Sequence, residues 1–343
     1  MKYFLSCIAA AAAILLIIDP QAVSEAVKAS AASCLEVVVP SLFAFAILAV
    51  YLQKSGLYRV ALKPLTFPLS KLLRLDEELC AVFVLSNIGG YPVGVKLLSE
   101  LTEQGRLSER DAGRMMCCCF GSGLGFVVGI AGLKIFGSAA AGLILFAACF
   151  AASLLIAAFV RARGEITLKK AENGFDLSAA AFISSVTGAA KMMFTVCAMI
   201  VGFSAITTLL REVGIFGLFA KIFGTEDVFP ALLEVTRISG LAATDHALPL
   251  CGALLSFGGV CVLMQVAALS NGIPLKGFII SRVPAALICA VITLPFSERF
   301  VSEDIEAIAS ETAVIPFTSN AALAVCVLAM SAILLIDAKR RTK

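Results

Sequence analysis

Long apolar runs alternate with short charged or glycine-bearing stretches along this chain. Runs close to the roughly 20 residues that cross a bilayer fall at about 4–18, 33–53, 112–136, 138–160, 180–210, 247–270, 275–296 and 316–336. Each predicts a transmembrane helix. The ten-residue alternating pattern of an outer-membrane strand is absent. Two segments, 79–101 and 229–246, fit neither a span nor a soluble loop. Each has an apolar first half, a glycine-bearing break and a second half able to return, which predicts a re-entrant hairpin. The expected fold class is an all-α polytopic membrane protein with about eight transmembrane helices plus two re-entrant helical hairpins.

The placement of lysine and arginine orients this scheme, because cytoplasmic loops carry them in excess. Lys339, Arg340, Arg341 and Lys343 end the chain; Arg161, Arg163, Lys169 and Lys170 fill the central linker; Lys54, Arg59, Lys63, Lys71 and Arg74 follow the span 33–53. All three stretches are expected inside, and both termini with them. The acidic stretch SERFVSEDIEAIASET after Phe296 is expected outside, as is the loop holding Asp19, Glu25 and Lys28. Threading both odd segments as hairpins satisfies all of these together; making just one a full span does not.

That threading exposes a repeat. Residues 33–160 and 180–296 run through the same order: a span, an amphipathic stretch (SGLYRVALKPLTFPLSKLL or REVGIFGLFAKIF), a hairpin, a span with a Phe-Gly break (Phe120-Gly121 or Phe257-Gly258), and a last span. The charge bias gives the halves opposite orientation, an inverted repeat as in many secondary transporters. Around them lie an N-terminal helix with its outer loop (1–32), a basic cytoplasmic linker (161–179), and an acidic outer loop, last helix and basic tail (297–343). The run 4–18 is read as an uncleaved first helix, since no small-x-small cleavage site follows Asp19-Pro20.

Composition agrees. Of 343 residues 60% are hydrophobic and 15% charged, against about 25% charged in soluble domains, so a lipid bilayer is the expected surrounding. The twelve cysteines show no metal-type spacing and read as small apolar packing groups. No metalloprotease, P-loop or nucleophile-elbow pattern occurs, and no basic patch with interleaved aromatics. The chain is therefore expected to be neither an enzyme nor a nucleic-acid binder. No cofactor is expected, and a coupling ion stays open.

Candidate chemistry sits at the irregular backbone, which must be buried in protein or line a wet cavity. In SNIGGYPVGVK these residues are Asn87, Gly90, Tyr91, Gly94 and Lys96. Pro92 suits the first turn of the returning half-helix, whose N-terminal amides favour an anion. Lys96 either joins that site or snorkels to the surface. The second hairpin, ALLEVTRISGLAATDH, groups Glu234, Thr236, Arg237, Asp245 and His246 about Gly240. Glu234 and Arg237 are spaced to pair, and His246 reads as a surface or capping residue. Ser122 and Ser256 flank the Phe-Gly breaks. Gln265, deep in an apolar helix, needs a hydrogen-bond partner. Arg282, near the start of its span, is expected to snorkel.

GGYPVGVK (89–96), EVTRISG (234–240) and SFGGVCVLMQ (256–265) together resemble the sporulation integral membrane protein YlbJ (SpoVV) family, which groups with proteins bearing the nucleoside-recognition, or Gate, domain. The likeness runs over about 35–296. It implies an architecture like that of concentrative nucleoside transporters and a role in moving dipicolinic acid, a small aromatic dianion, from the mother cell across the outer forespore membrane. Lys96 and Arg237 would then hold carboxylates, and Gln265 the ring nitrogen. The family's asparagines and Gly-Pro pair after the first hairpin are replaced here by CCCFGSGLGF (117–126). The alternatives are a nucleoside or other organic-solute carrier of the same fold, or a non-transporting sporulation membrane protein. Partners would be other sporulation membrane proteins or a second copy of the chain.

Overall fold

A computed structural model describes residues 20–169, 174–223, 226–243 and 246–300. The expected spans 4–18 and 316–336, the acidic loop beyond residue 300, the basic tail and Asp245 lie outside the described residues.

Helix α1 (Pro20–Ser33) runs through a π-helical stretch, Cys34–Val38, into α2 (Val39–Ser55). The stretch read as an outer loop is thus helical from Pro20. Its alanines and serines carry no breaker after Pro20, and α1 packs against α10 below. Two short helices follow, α3 (Tyr58–Ala61) and α4 (Lys63–Leu73). Then come α5 (Glu77–Gly89) and α6 (Tyr91–Glu103), the first hairpin, and α7 (Glu109–Met116). Residues 117–123 are unwound; α8 (Leu124–Phe126) resumes and continues as π-helix Val127–Ile135. Helix α9 (Ala139–Ala162) closes the first half.

The second half repeats the order: α10 (Ala179–Glu212), α11 (Ile215–Phe223), α12 (Val228–Leu233) with a 3-10 segment Val235–Ala243 as second hairpin, α13 (Ala247–Phe257) and α14 (Gly259–Leu269) parted at Gly258, and α15 (Lys276–Thr293) with a 3-10 tail Leu294–Phe300.

Among the described residues four helical stretches are long and apolar enough to cross a membrane: Ala139–Ala162, Ala179–Glu212, Ala247–Leu269 and Lys276–Phe300. The bent pair α1–α2 makes a fifth if it is one span. The run 112–136 is instead interrupted at its expected break. The outward faces are apolar. On α15, Ile279, Val283, Leu287 and Val291 form an exposed stripe, while Phe278, Arg282, Ala285 and Cys289 point inward. A helix apolar on its exposed side is a helix facing lipid.

The first hairpin starts where Asp76 accepts a hydrogen bond from the Glu78 amide at 2.9 Å, an N-cap. It turns at Gly90, whose φ of 101° suits a residue without Cβ. At about 1.5 Å per residue each arm reaches only about 20 Å, short of a bilayer core of about 30 Å. Nearly all of α5 is buried, so its apolar run faces protein.

Helices distant in the chain pack in matching pairs. The long helices α2 and α10 pair, as do α9 and α15. The returning arm α6 lies on α14, and the returning 3-10 segment lies on Val127–Ile135. Helix α7 touches α15, and α13 touches α9. Exchanging the two halves leaves this set of pairings unchanged.

Candidate functional site

Three interruptions of helix meet at the centre: the hairpin turn at Gly90, the unwound 117–123 and the α13–α14 break. Asn87 donates through Nδ2 to the carbonyls of Phe83 (2.8 Å) and Cys118 (3.3 Å), tying hairpin to break. Gly94 lies so near that break that a Cβ there would overlap the Cys119 carbonyl oxygen and stand 2.9 Å from Ser86 Cβ. A Cβ on Gly90 would stand 3.9 Å from Gly123 Cα. Tyr91 donates its hydroxyl to the Leu255 carbonyl of the other half at 2.7 Å, one turn before the Gly258 break. Ser122 is buried, 4.0 Å from Cys149 Sγ, and Ser256 is buried too.

Arg282 completes this junction. It was expected to snorkel; it is 1% exposed. Its guanidinium lies over the rings of Phe120 (4.6 Å) and Phe278 (5.0 Å). Nη2 donates to the Cys117 carbonyl, at the C-terminal end of α7, and to Ser281 Oγ at 3.0 Å. Among the described residues Nε has no hydrogen-bond partner and no carboxylate pairs with the guanidinium. Ring faces and the negative end of α7 stand in for a counter-ion. The sequence did hold a signal. Arg282 shares its helical face with Ala285 and Cys289, and small residues mark the side that packs in a membrane bundle.

At the second hairpin the chain extends at Glu234 between α12 and the 3-10 segment. Glu234 is buried, and its Oε1 accepts from the Thr236 amide (3.1 Å) and hydroxyl (2.5 Å). Arg237 Nε stands 3.7 Å from Glu234 Oε2, the pair the spacing predicted. Arg237 also donates to Ser204 Oγ at 3.5 Å, and Ser204 in turn to the Ala26 carbonyl at 3.1 Å. Glu234, Thr236 and Arg237 line a cavity of about 560 Å³ between α1 and the C-terminal end of α10. Gly259, at φ 77°, brings α14 against this hairpin: a Cβ there would be 3.2 Å from the Leu232 carbonyl oxygen. Gly240 lies in the 3-10 segment, and His246 is exposed at the start of α13. Gln265 is buried and donates to Cys261 Sγ at 3.4 Å.

Lys96 is engaged elsewhere. Its Nζ is 3.1 Å from Glu100 Oε1, and Lys54 reaches the same oxygen at 3.3 Å. Glu100 is 5% exposed and its other oxygen is unpartnered. Neither Glu100 nor Lys54 was a sequence candidate. Lys96 touches α10 at Gly188 and Arg237 touches it at Ser204, an interval of about 24 Å at 1.5 Å per residue. The structure therefore joins Glu234, Thr236 and Arg237, and joins Asn87, Gly90, Tyr91, Gly94 and Ser122. It does not bring Lys96 to Arg237, so one small anion cannot touch both in this arrangement.

Ten cysteines among the described residues are free thiols, nine of them buried, as the packing reading expected.

Compared with known proteins, the chain is 25% identical over 319 residues to the Sporulation integral membrane protein YlbJ of Bacillus subtilis (strain 168), covering 80% of this chain and 78% of that protein. The chain is a distant homologue of YlbJ. No family model matches the chain, and no solved structure matches it. The likeness to YlbJ agrees with the apolar helices above. It is an integral, multi-pass membrane protein.

Proposed function

We propose that the chain is a secondary-transporter-like membrane protein that moves a small organic anion. The anion is dipicolinic acid, carried across the outer forespore membrane during sporulation. The observation that carries this reading is the exchange of pairings between two like-ordered halves, each with a hairpin and a broken helix. Halves so built can rock against one another about their junction, which is alternating access. The charge bias of the loops supports opposite orientation of the halves, with re-entrant hairpins and cytoplasmic termini. The acid's identity rests on the likeness to YlbJ.

Chemistry at the second hairpin suits a carboxylate. Arg237 offers planar paired donors. Lys96 and Arg237 contact α10 about 24 Å apart, so one small anion does not bridge them.

The test is uptake of labelled dipicolinate into vesicles holding the purified protein, with excess unlabelled dipicolinate or uridine as competitor. Uptake suppressed by dipicolinate alone is expected. Suppression by uridine would move the reading to a nucleoside carrier. Arg237→Ala is expected to lower uptake about tenfold, the scale of one lost charged hydrogen bond of about 1.5 kcal/mol. Unchanged uptake in that variant would remove Arg237 from the path.

A further inference from the structure

The chain has a second cavity, about 630 Å³, lined by none of the candidate binding residues read from the sequence, though Lys54 and Arg59 of the basic stretch line it. It forms where the C-terminal end of α2 (Gln53, Lys54), the N-terminal end of α10 (Ala181, Ser184) and the base of the first hairpin (Glu78, Arg106) meet. The Glu234 cavity forms from the C-terminal end of α10, from α1, which prolongs α2 at its start, and from the second hairpin. The helix walls of the two cavities correspond under exchange of the halves, while the first meets the base of its hairpin and the second the turn of its own. Each contains a buried glutamate held by an arginine: Glu78 with Arg106, just beyond α6 (2.7 and 2.5 Å), and Glu234 with Arg237. From Ser184 to Thr207 on α10, at 1.5 Å per residue, is about 35 Å, enough to set the two cavities at opposite faces of a bilayer.

Their charges differ. Among the described residues the first cavity is lined by Lys54, Arg59 and Arg106 against Glu78 and Asp176. The second is lined by Arg211 and Arg237 against Glu25, Glu212 and Glu234. In the first, Arg106 is committed: both terminal nitrogens hold Glu78, and Nε donates to the Lys169 carbonyl at 3.2 Å. Arg59 gives only Nε to a described hydrogen-bond acceptor, the Tyr58 hydroxyl at 3.3 Å. Lys54 is the more telling group. It shares Glu100 with Lys96, two cations on one buried carboxylate, and donates to Ser184 Oγ at 3.1 Å, so the trio by itself carries one net positive charge beside the cavity. A carboxylate arriving at Lys54 would neutralise it and leave Lys96 and Glu100 as a matched pair.

We propose that this cavity is the loading site for a small organic dianion, one carboxylate on Lys54 and the other on Arg59. It binds the dianion more tightly than the Glu234 cavity at the opposite face. The connection bearing Arg161, Arg163 and Lys169 leads into its wall at Gly174 and Asp176, which makes it the cytoplasmic face. The inference rests on the anion-carrier reading, deepens it by assigning the entry site, and can fail separately.

The test uses single reporters in the full chain, Ala180→Cys at this cavity and Thr208→Cys at the other, with maleimide labelling read above the wild-type background. Dipicolinate is expected to slow labelling of Ala180→Cys at concentrations severalfold below those that affect Thr208→Cys. Adding Lys54→Gln or Arg59→Gln should raise the protecting concentration about tenfold, and Lys54→Arg should restore most of it. Thermal unfolding in detergent verifies that each variant is folded. Protection equal at both reporters, or unmoved by Lys54→Gln, overturns the proposal even if vesicles transport dipicolinate. No protection at Ala180→Cys overturns it too. Protection without transport keeps the site and rejects the carrier.

Discussion

Arg282 shows how much one side chain can hold. It is a cation in the interior of a membrane protein with no carboxylate partner among the described residues, where an isolated charge costs at least about 2.5–3.5 kcal/mol. It persists because two phenyl faces and the Cys117 carbonyl take its charge. Removing a buried charge that has no carboxylate partner relieves its desolvation cost. Arg282→Met is therefore expected to unfold thermally no earlier than wild type, while vesicle uptake falls at least tenfold as the junction loses its cation. A variant that unfolds earlier and transports normally would make Arg282 merely structural. From sequence alone the residue misled, because an arginine near the start of an apolar run is usually a snorkelling one. Its depth depends on the neighbouring α7 ending short, at Met116, and a single helix's periodicity carries no such information. Glu234–Arg237, by contrast, was legible, since a three-residue spacing fixes neighbours on a turn of helix. Glu100 was not: its partners Lys54 and Lys96 become a trio only once α2 and α6 pack.

The first hairpin is an element defined by absences of Cβ. A methyl at Gly94 meets the Cys119 carbonyl oxygen, which belongs to backbone and cannot swing aside. Gly94→Ala is expected to cost about 1–3 kcal/mol, as overpacking does, and to lift the hairpin from the break. Gly129 has nothing within 4 Å of a built Cβ and sits in helix, so Gly129→Ala should be neutral or gain up to about 1 kcal/mol. Thermal unfolding of both variants in one detergent checks the pair, and equal midpoints would show that the contact at Gly94 is not tight. The same reasoning says why hairpins and breaks were visible in the sequence. Glycine and proline interrupt an apolar run wherever they stand, so Gly90, Phe120-Gly121 and Phe257-Gly258 each mark an observed turn or break. The helix from Pro20 to Ser33 was missed for the opposite reason. Its mixture of alanine, serine and charged residues has no apolar face long enough to announce a span, and it becomes helix by continuing α2 and packing on α10.

For the whole molecule, the exchange of pairings between halves makes the interface between them the surface that must move if access alternates. At one edge that interface is narrow and polar. Asn271, in the turn after α14, donates to Glu103 Oε1 at 2.6 Å at the end of the first hairpin, and nearby Ser99 donates to the Leu269 carbonyl at 2.9 Å. Both contacts cross from one half to the other, the first exposed and the second part-buried, and single hydrogen bonds worth about 0.5–1.5 kcal/mol each do not hold the halves by themselves. Joining them covalently is a different matter. Glu103→Cys with Asn271→Cys, bridged by a short reducible bifunctional maleimide, would fix α6 to the end of α14 at their present separation. If the halves rock, bridging is expected to abolish dipicolinate uptake, reduction of the linker to restore it, and either single variant treated alike to transport normally. If only a local gate moves and the halves stay docked, the bridged protein should transport at the unbridged rate. The rigid-body account would then be replaced by motion confined to the hairpin tips.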